Sequence, residues 1–181
     1  MLRAYLYFAL LVLLSHSGLA TAKTILVYGD SLSAAYGINL EEGWVALLQE
    51  SLSEDHTILN ASISGETSSG GLSRLPITLD ELQPDIVVLE LGANDGLRGG
   101  SLALLKQNLN AMIELIKARE LDVVLVGISV PPSYGPRYID EFRTVYRELA
   151  EEHQLPFIDF YREEFFLQDG YIQSDGLHPT A

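Results

Sequence analysis

Two hydrophobic periods alternate along this chain, and that alternation restricts its fold more than any other feature. Nearly continuous apolar runs occur at Thr24–Tyr28, Thr57–Ala61, Asp85–Leu91, Val123–Val130 and Leu155–Phe160. A strand with one wet face alternates apolar and polar residues, so an unbroken run reads as a strand buried on both faces, as in a parallel sheet. Between the runs the period changes. Leu102, Leu105, Leu109, Met112, Ile113 and Ile116 recur at spacings of three and four, with Lys106, Asn110, Glu114 and Lys117 on the other side of the helix this predicts. Trp44, Leu47 and Leu48 predict a helix after the first strand, and Phe142, Val145, Tyr146 and Leu149 one before the fifth. Such a βαβα order winds into a single doubly wound parallel α/β sheet of five strands. The 181 residues show no repeat, low-complexity tract or linker, which fits one domain.

The first twenty-two residues stand apart from that pattern. Arg3 precedes an apolar run of eleven residues, Ala4 to Leu14, too short for a bilayer span, which needs about 20. Ser15 to Gly18 break the run, and Ala20-Thr21-Ala22 has the small-x-small form of a signal-peptidase site. Residues 1–22 are therefore expected to be a signal peptide, and 23–181 a periplasmic or secreted domain starting at Lys23. A lipoprotein anchor needs a cysteine, and the chain has none, so no stable membrane attachment is expected.

Charge narrows the chemistry. Eleven basic residues against twenty-five acidic ones give −14, and losing Arg3 with the leader makes it −15. A domain this acidic does not gather nucleic acid or anionic lipid by long-range attraction. The lack of cysteine excludes disulfides, thiolate metal sites and cysteine nucleophiles. Ser, His, Asp, Glu, Asn and the backbone remain, no cofactor is called for, and a monomer is expected.

In doubly wound sheets ligands bind outside the carboxyl ends of the strands. Four polar, glycine-bearing segments fall there: Gly29-Asp30-Ser31-Leu32-Ser33, Ser62 to Ser68, Gly92-Ala93-Asn94-Asp95-Gly96, and Asp175-Gly176-Leu177-His178-Pro179. Of four histidines, His16 leaves with the leader, His56 precedes the second strand at the wrong edge, and His153 closes a helix whose dipole favours a cation. His178 remains as a general base, with Asp175 three residues earlier to orient it. A capped turn would give the same D-x-x-H. Ser31, at a strand-to-helix turn, reads equally as a nucleophile or as a helix N-cap, and no G-x-S-x-G elbow occurs.

Taken in order, Gly29-Asp30-Ser31-Leu32, Gly65, Gly92-Ala93-Asn94-Asp95 and Asp175-Gly176-Leu177-His178 resemble the four blocks of the GDSL, or SGNH, hydrolase family. Asn60 to Ser68, Gly71 to Pro76 and Glu90 to Gly99 are similar to its exported bacterial branch of esterases, thioesterases and lysophospholipases. The resemblance implies a three-layer, flavodoxin-like fold and a serine esterase or thioesterase acting on a small acyl ester. It assigns Ser31 as nucleophile, His178 as base and Asp175 as its orienting acid, with an oxyanion hole from the N–H groups of Ser31 and Gly65 and the amide of Asn94. It also implies a terminal helix after the last block, whereas this sequence stops three residues past His178, so that helix is expected to be missing.

Other residues carry lesser expectations. Leu32, Tyr36, Leu97, Val130, Pro131 and Tyr134 are candidates to line an apolar acyl groove. Asp30 and Asp95 read as turn-formers and hydrogen-bond acceptors, and Glu90, inside an apolar strand, as hydrogen-bonded structure. Arg74 and Arg98 read as surface charge before head-group binders. Ser68-Ser69-Gly70-Gly71, without a P-loop lysine, reads as a loop capping a short helix. Rival readings are a carbohydrate or aryl acetylesterase on the same serine site and a non-catalytic flavodoxin-like binding module.

Overall fold

The computed structural model describes residues 22–52, 56–160 and 168–181. The expected signal peptide lies outside these, Ala22 excepted. The strands are β1 (Lys23–Gly29), β2 (His56–Asn60), β3 (Ile86–Glu90), β4 (Asp122–Gly127) and β5 (Phe157–Asp159). The helices are α1 (Trp44–Leu52), α2 (Ser68–Leu82), α3 (Ala93–Leu97), α4 (Leu102–Lys117) and α5 (Pro136–His153). All strands pair in parallel, in the order β2-β1-β3-β4-β5.

Alternate residues of each strand serve opposite faces, which is why the runs show no alternation. Leu26 and Tyr28 of β1 join Leu75, Leu105, Leu109, Phe142 and Tyr146 in a core beneath α2, α4 and α5. Val27, between them, packs on the other face with Ile58, Val88, Val126 and Val45, against Trp44 and Leu48 of α1. Helix–sheet–helix layering follows. The α4 stripe is buried from Leu105 to Ile116, with Leu102 half-buried at its start, and Ser101 caps the helix by accepting from the Leu104 N–H at 3.3 Å.

Two local expectations need correcting. The run Val123–Val130 leaves the ladder at Gly127, and Ile128 and Val130 are buried without pairing. An apolar run reports burial, not hydrogen bonding. Ser68-Ser69-Gly70-Gly71 is no loop but the first turn of the fifteen-residue α2. Its free amides find acceptors: Thr67 Oγ1 takes the Gly70 N–H at 3.2 Å, and Asp95 takes the Ser68 N–H at 2.8 Å and its hydroxyl at 2.6 Å. The Tyr28 hydroxyl donates to the Gly71 carbonyl at 2.7 Å and ties this turn to the sheet.

The order reverses direction at β1: β2 lies to one side, β3 to β5 to the other. The crevice outside the carboxyl ends of β1 and β3 is therefore the place where such a sheet binds ligands. Among the described residues, no helix is long and apolar enough to cross a membrane.

Candidate active site

Gly29 stands opposite Glu90 in the β1–β3 register, so the chain leaves both strands at one level. Past β1 it coils into a turn, with the Ser33 and Ala34 amides donating to the Asp30 carbonyl at 3.3 and 3.0 Å. Asp30 caps that turn: its Oδ1 accepts from the Leu32 N–H at 3.1 Å. The capping role thus falls to Asp30, and the Ser31 hydroxyl is left to face His178, with Oγ 2.9 Å from Nε2.

His178 is held from its other side by Asp175. The Asp175 Oδ1 accepts the Leu177 and His178 N–H groups at 2.9 and 3.0 Å, and Oδ2 lies 2.7 Å from the imidazole Nδ1. The hydrogen bond from His178 draws the Asp175 carboxyl down to about 2, and the two backbone amides add to it. An ionised carboxylate can only accept, so in the neutral ring Nδ1 carries the proton and Nε2 is free to accept from Ser31. The sequence-predicted Ser31, His178 and Asp175 are therefore brought together as one hydrogen-bonded chain.

Gly65 and Asn94 arrive beside them through α3. Asn94 Nδ2 donates to the Glu66 carbonyl at 2.9 Å and to Asp30 Oδ2 at 3.2 Å. Four residues on, Arg98 Nη2 donates to the Gly65 carbonyl at 3.2 Å. One side of α3 thus suspends the Gly65–Glu66 segment next to the Asp30–Ser31 turn. Arg98 is exposed, but it is bonded to the segment the resemblance singles out. Arg74 is not a surface charge: it pairs with Glu66 at 3.2 Å and lies 4.2 Å over the Tyr28 ring. The sequence offered no sign of either partner, because Tyr28 is remote in the chain and Glu66, eight residues before Arg74, lies beyond the start of α2.

Two acids are buried under the Ser31 turn. Glu90 is 1% exposed and Asp30 0%. Burial lifts Asp30 to about 6. Burial first, and the neighbouring Asp30 charge second, push Glu90 well above the ordinary glutamate range. Glu90 Oε2 accepts from the Ser33 hydroxyl at 2.6 Å and more weakly from the Asp30 N–H at 3.4 Å. Its Oε1 has no partner among the described residues, so there Glu90 is hydrogen-bonded structure through one oxygen only.

A cavity of about 590 Å³ opens beside Ser31 and His178. Leu32, Leu97 and Pro131 line it, as the sequence predicts, together with Ala93, Ile128, Ile158, Phe160 and Leu177. Three groove assignments need correction. Val130 is fully buried and offers no surface. Tyr134 lies outside the lining, its hydroxyl donating to the Leu97 carbonyl at 2.7 Å and its ring stacked on Tyr138. Tyr36 packs on His178 instead, with the two ring centroids 4.4 Å apart. Ile158 and Phe160 were missed because a short edge strand gives no sign of which face meets a ligand.

Residues 27–181 match the model of the GDSL-like Lipase/Acylhydrolase family. The chain belongs to that family. This GDSL-family chain is 47% identical over 182 residues to Esterase TesA of Pseudomonas aeruginosa, an alignment covering 99% of this chain and 90% of that protein. It is 42% identical to Thioesterase 1/protease 1/lysophospholipase L1 of Escherichia coli K12, over 98% of this chain and 85% of the other. The psychrotrophic esterase EstA from Pseudoalteromonas sp., solved inhibited by monoethylphosphonate, superposes with a TM-score of 0.81 at 42% identity, covering 87% of each chain. With the family comes its class of chemistry: the GDSL-family chain is a carboxylic ester hydrolase.

The buried acids give a test of this site's electrostatics. A glutamate whose native proton affinity exceeds its unfolded one loses stabilising power as pH rises from its unfolded value toward its native one. Glu90→Gln removes that slope. Its urea midpoint, relative to the parent, should rise between pH 5 and pH 8; a difference independent of pH would show that Glu90 ionises as freely in the fold as in the unfolded chain.

Proposed function

We propose that this enzyme cleaves carboxylic esters and thioesters of apolar acyl chains through an acyl-enzyme on Ser31. The observation that carries this reading is the chain Asp175–His178–Ser31, with heavy-atom separations of 2.7 and 2.9 Å. Ser31 Oγ attacks the acyl carbon as its proton passes to His178 Nε2. Asp175 steadies the imidazolium that forms. The tetrahedral oxyanion is received by the N–H groups of Ser31 and Gly65 and by the Asn94 amide. His178 then returns its proton to the departing alkoxide or thiolate, and water, activated by the same nitrogen, releases the acid. Inhibition of the Pseudoalteromonas esterase by monoethylphosphonate, an anionic group with the tetrahedral shape of the intermediate described above, supports this assignment.

Ser31→Ala and His178→Ala should each lower turnover by about 10⁴–10⁶-fold, with Asp175→Ala milder, and a fluorophosphonate probe should label the parent at Ser31. Retention of a tenth of parental turnover by Ser31→Ala would remove it from the nucleophile's place.

The cavity supports acyl chains longer than acetyl. Its apolar wall of Leu32, Leu97, Ile128 and Pro131 starts at the nucleophile, and each buried methylene is worth about 0.8 kcal/mol, roughly fourfold per carbon. Specificity constants for p-nitrophenyl esters from two to twelve carbons should therefore rise from acetate to medium chains. A maximum at acetate would favour the acetylesterase reading instead. Lysophospholipids and thioesters belong to the same substrate range, with coenzyme A thioesters the most salt-sensitive because of the charge of −15.

Export is part of the proposal and rests on Arg3, the Ala4–Leu14 run and Ala20-Thr21-Ala22. Protein recovered from the periplasm of a Gram-negative host should begin at Lys23; an intact Met1 on that material would refute it.

A further inference from the structure

We infer that Gln173 is a positioning residue that seats the base against the nucleophile, an inference resting on the serine-hydrolase reading above. His178 and Asp175 lie on one short loop, and their mutual bonds are local, three residues apart. Those bonds fix the imidazole relative to its own loop. They do not fix the loop relative to Ser31, which is 147 residues away in sequence. Something must hold that distance.

Gln173 is bonded to both sides. Its backbone N–H donates to the His178 carbonyl at 2.8 Å, and its side-chain Nε2 donates to the Pro179 carbonyl at 2.8 Å. The same Nε2 donates to the Tyr36 carbonyl, also at 2.8 Å. Tyr36 ends the turn that Ser31 begins, its N–H reaching back to the Ser31 carbonyl at 3.4 Å, and its ring packs on His178. One amide thus uses both its protons, one on the base's loop and one on the nucleophile's turn. Gly37, with φ of +77°, allows the approach: a β-carbon there would collide with the Gln173 side-chain oxygen. An antiparallel bridge between Ile172 and Pro179 squares the loop behind the clamp.

The cost of losing the clamp follows from geometry. A displacement of about 1 Å between reacting groups costs on the order of 100-fold in rate without weakening substrate binding in proportion. Gln173→Met keeps the length and packing of the side chain but has no donors, and Gln173→Glu sets a carboxylate against two carbonyls. Each is assayed on p-nitrophenyl butyrate below its own melting temperature. The expected result is a kcat about 10–100-fold lower in Gln173→Met and lower still in Gln173→Glu, with KM within threefold of the parent. Fluorophosphonate labelling of Ser31 should slow by the same factor. The low-field proton resonance of the His178 Nδ1–H should persist, since the bond to Asp175 is made within the loop. A kcat within twofold of the parent in Gln173→Met overturns the inference, as does loss of the low-field proton together with activity, which would mean the loop itself had come apart. These outcomes are separate from those that test the nucleophile: with Ser31→Ala inactive and Gln173→Met fully active, only the clamp falls.

Discussion

The pairing of Gly29 with Glu90 in the β1–β3 ladder sets the level from which everything at the site is measured. Two residues beyond the one is Ser31, and four beyond the other is Asn94. Because parallel strands all end at one edge, these residues need no long excursions to meet; because the strand order reverses at β1, a crevice lies between them. The third contributor, Gly65, leaves β2 on the far side and is brought back by bonds from α3. His178 is the exception, arriving from a loop that belongs to no strand of the sheet.

The level at Gly29 and Glu90 is also where two carboxyls meet without solvent. Such a pair is tolerated only when one of them stays protonated, and the lifted proton affinities of Asp30 and Glu90 describe that arrangement. Asp30 spends its oxygens on the turn and on Asn94, whereas Glu90 underpins the same turn through Ser33. The Ser31 turn therefore stands on two buried carboxyls.

What could be read in the sequence was what one short stretch specifies alone. The five apolar runs, the α4 stripe and the ordered GDSL, GAND and DGLH segments each carry their meaning within about fifteen residues or fewer. Failures came wherever the deciding partner was remote. Ser68–Gly71 is helical because Asp95 and Tyr28 satisfy it. Arg74 is drawn inward by Glu66 and Tyr28, and Val130 is sealed into the core instead of facing the cavity. The boundary of β4 was misplaced for a related reason: residues past Gly127 keep the burial of a strand without its ladder.

Asn94 in the resting site has both amide protons engaged, one by the Glu66 carbonyl and the longer one by Asp30. If Asn94 serves the oxyanion as proposed, an incoming acyl group must win a proton already spoken for. A neutral ester carbonyl is a poorer acceptor than a buried carboxylate and gains little by the exchange, while a tetrahedral oxyanion competes on equal terms. The occupied donor acts as a threshold: it discounts the substrate more than the charged species formed from it. Discrimination of that kind favours the barrier over the bound ground state, which is the form of binding that accelerates a reaction.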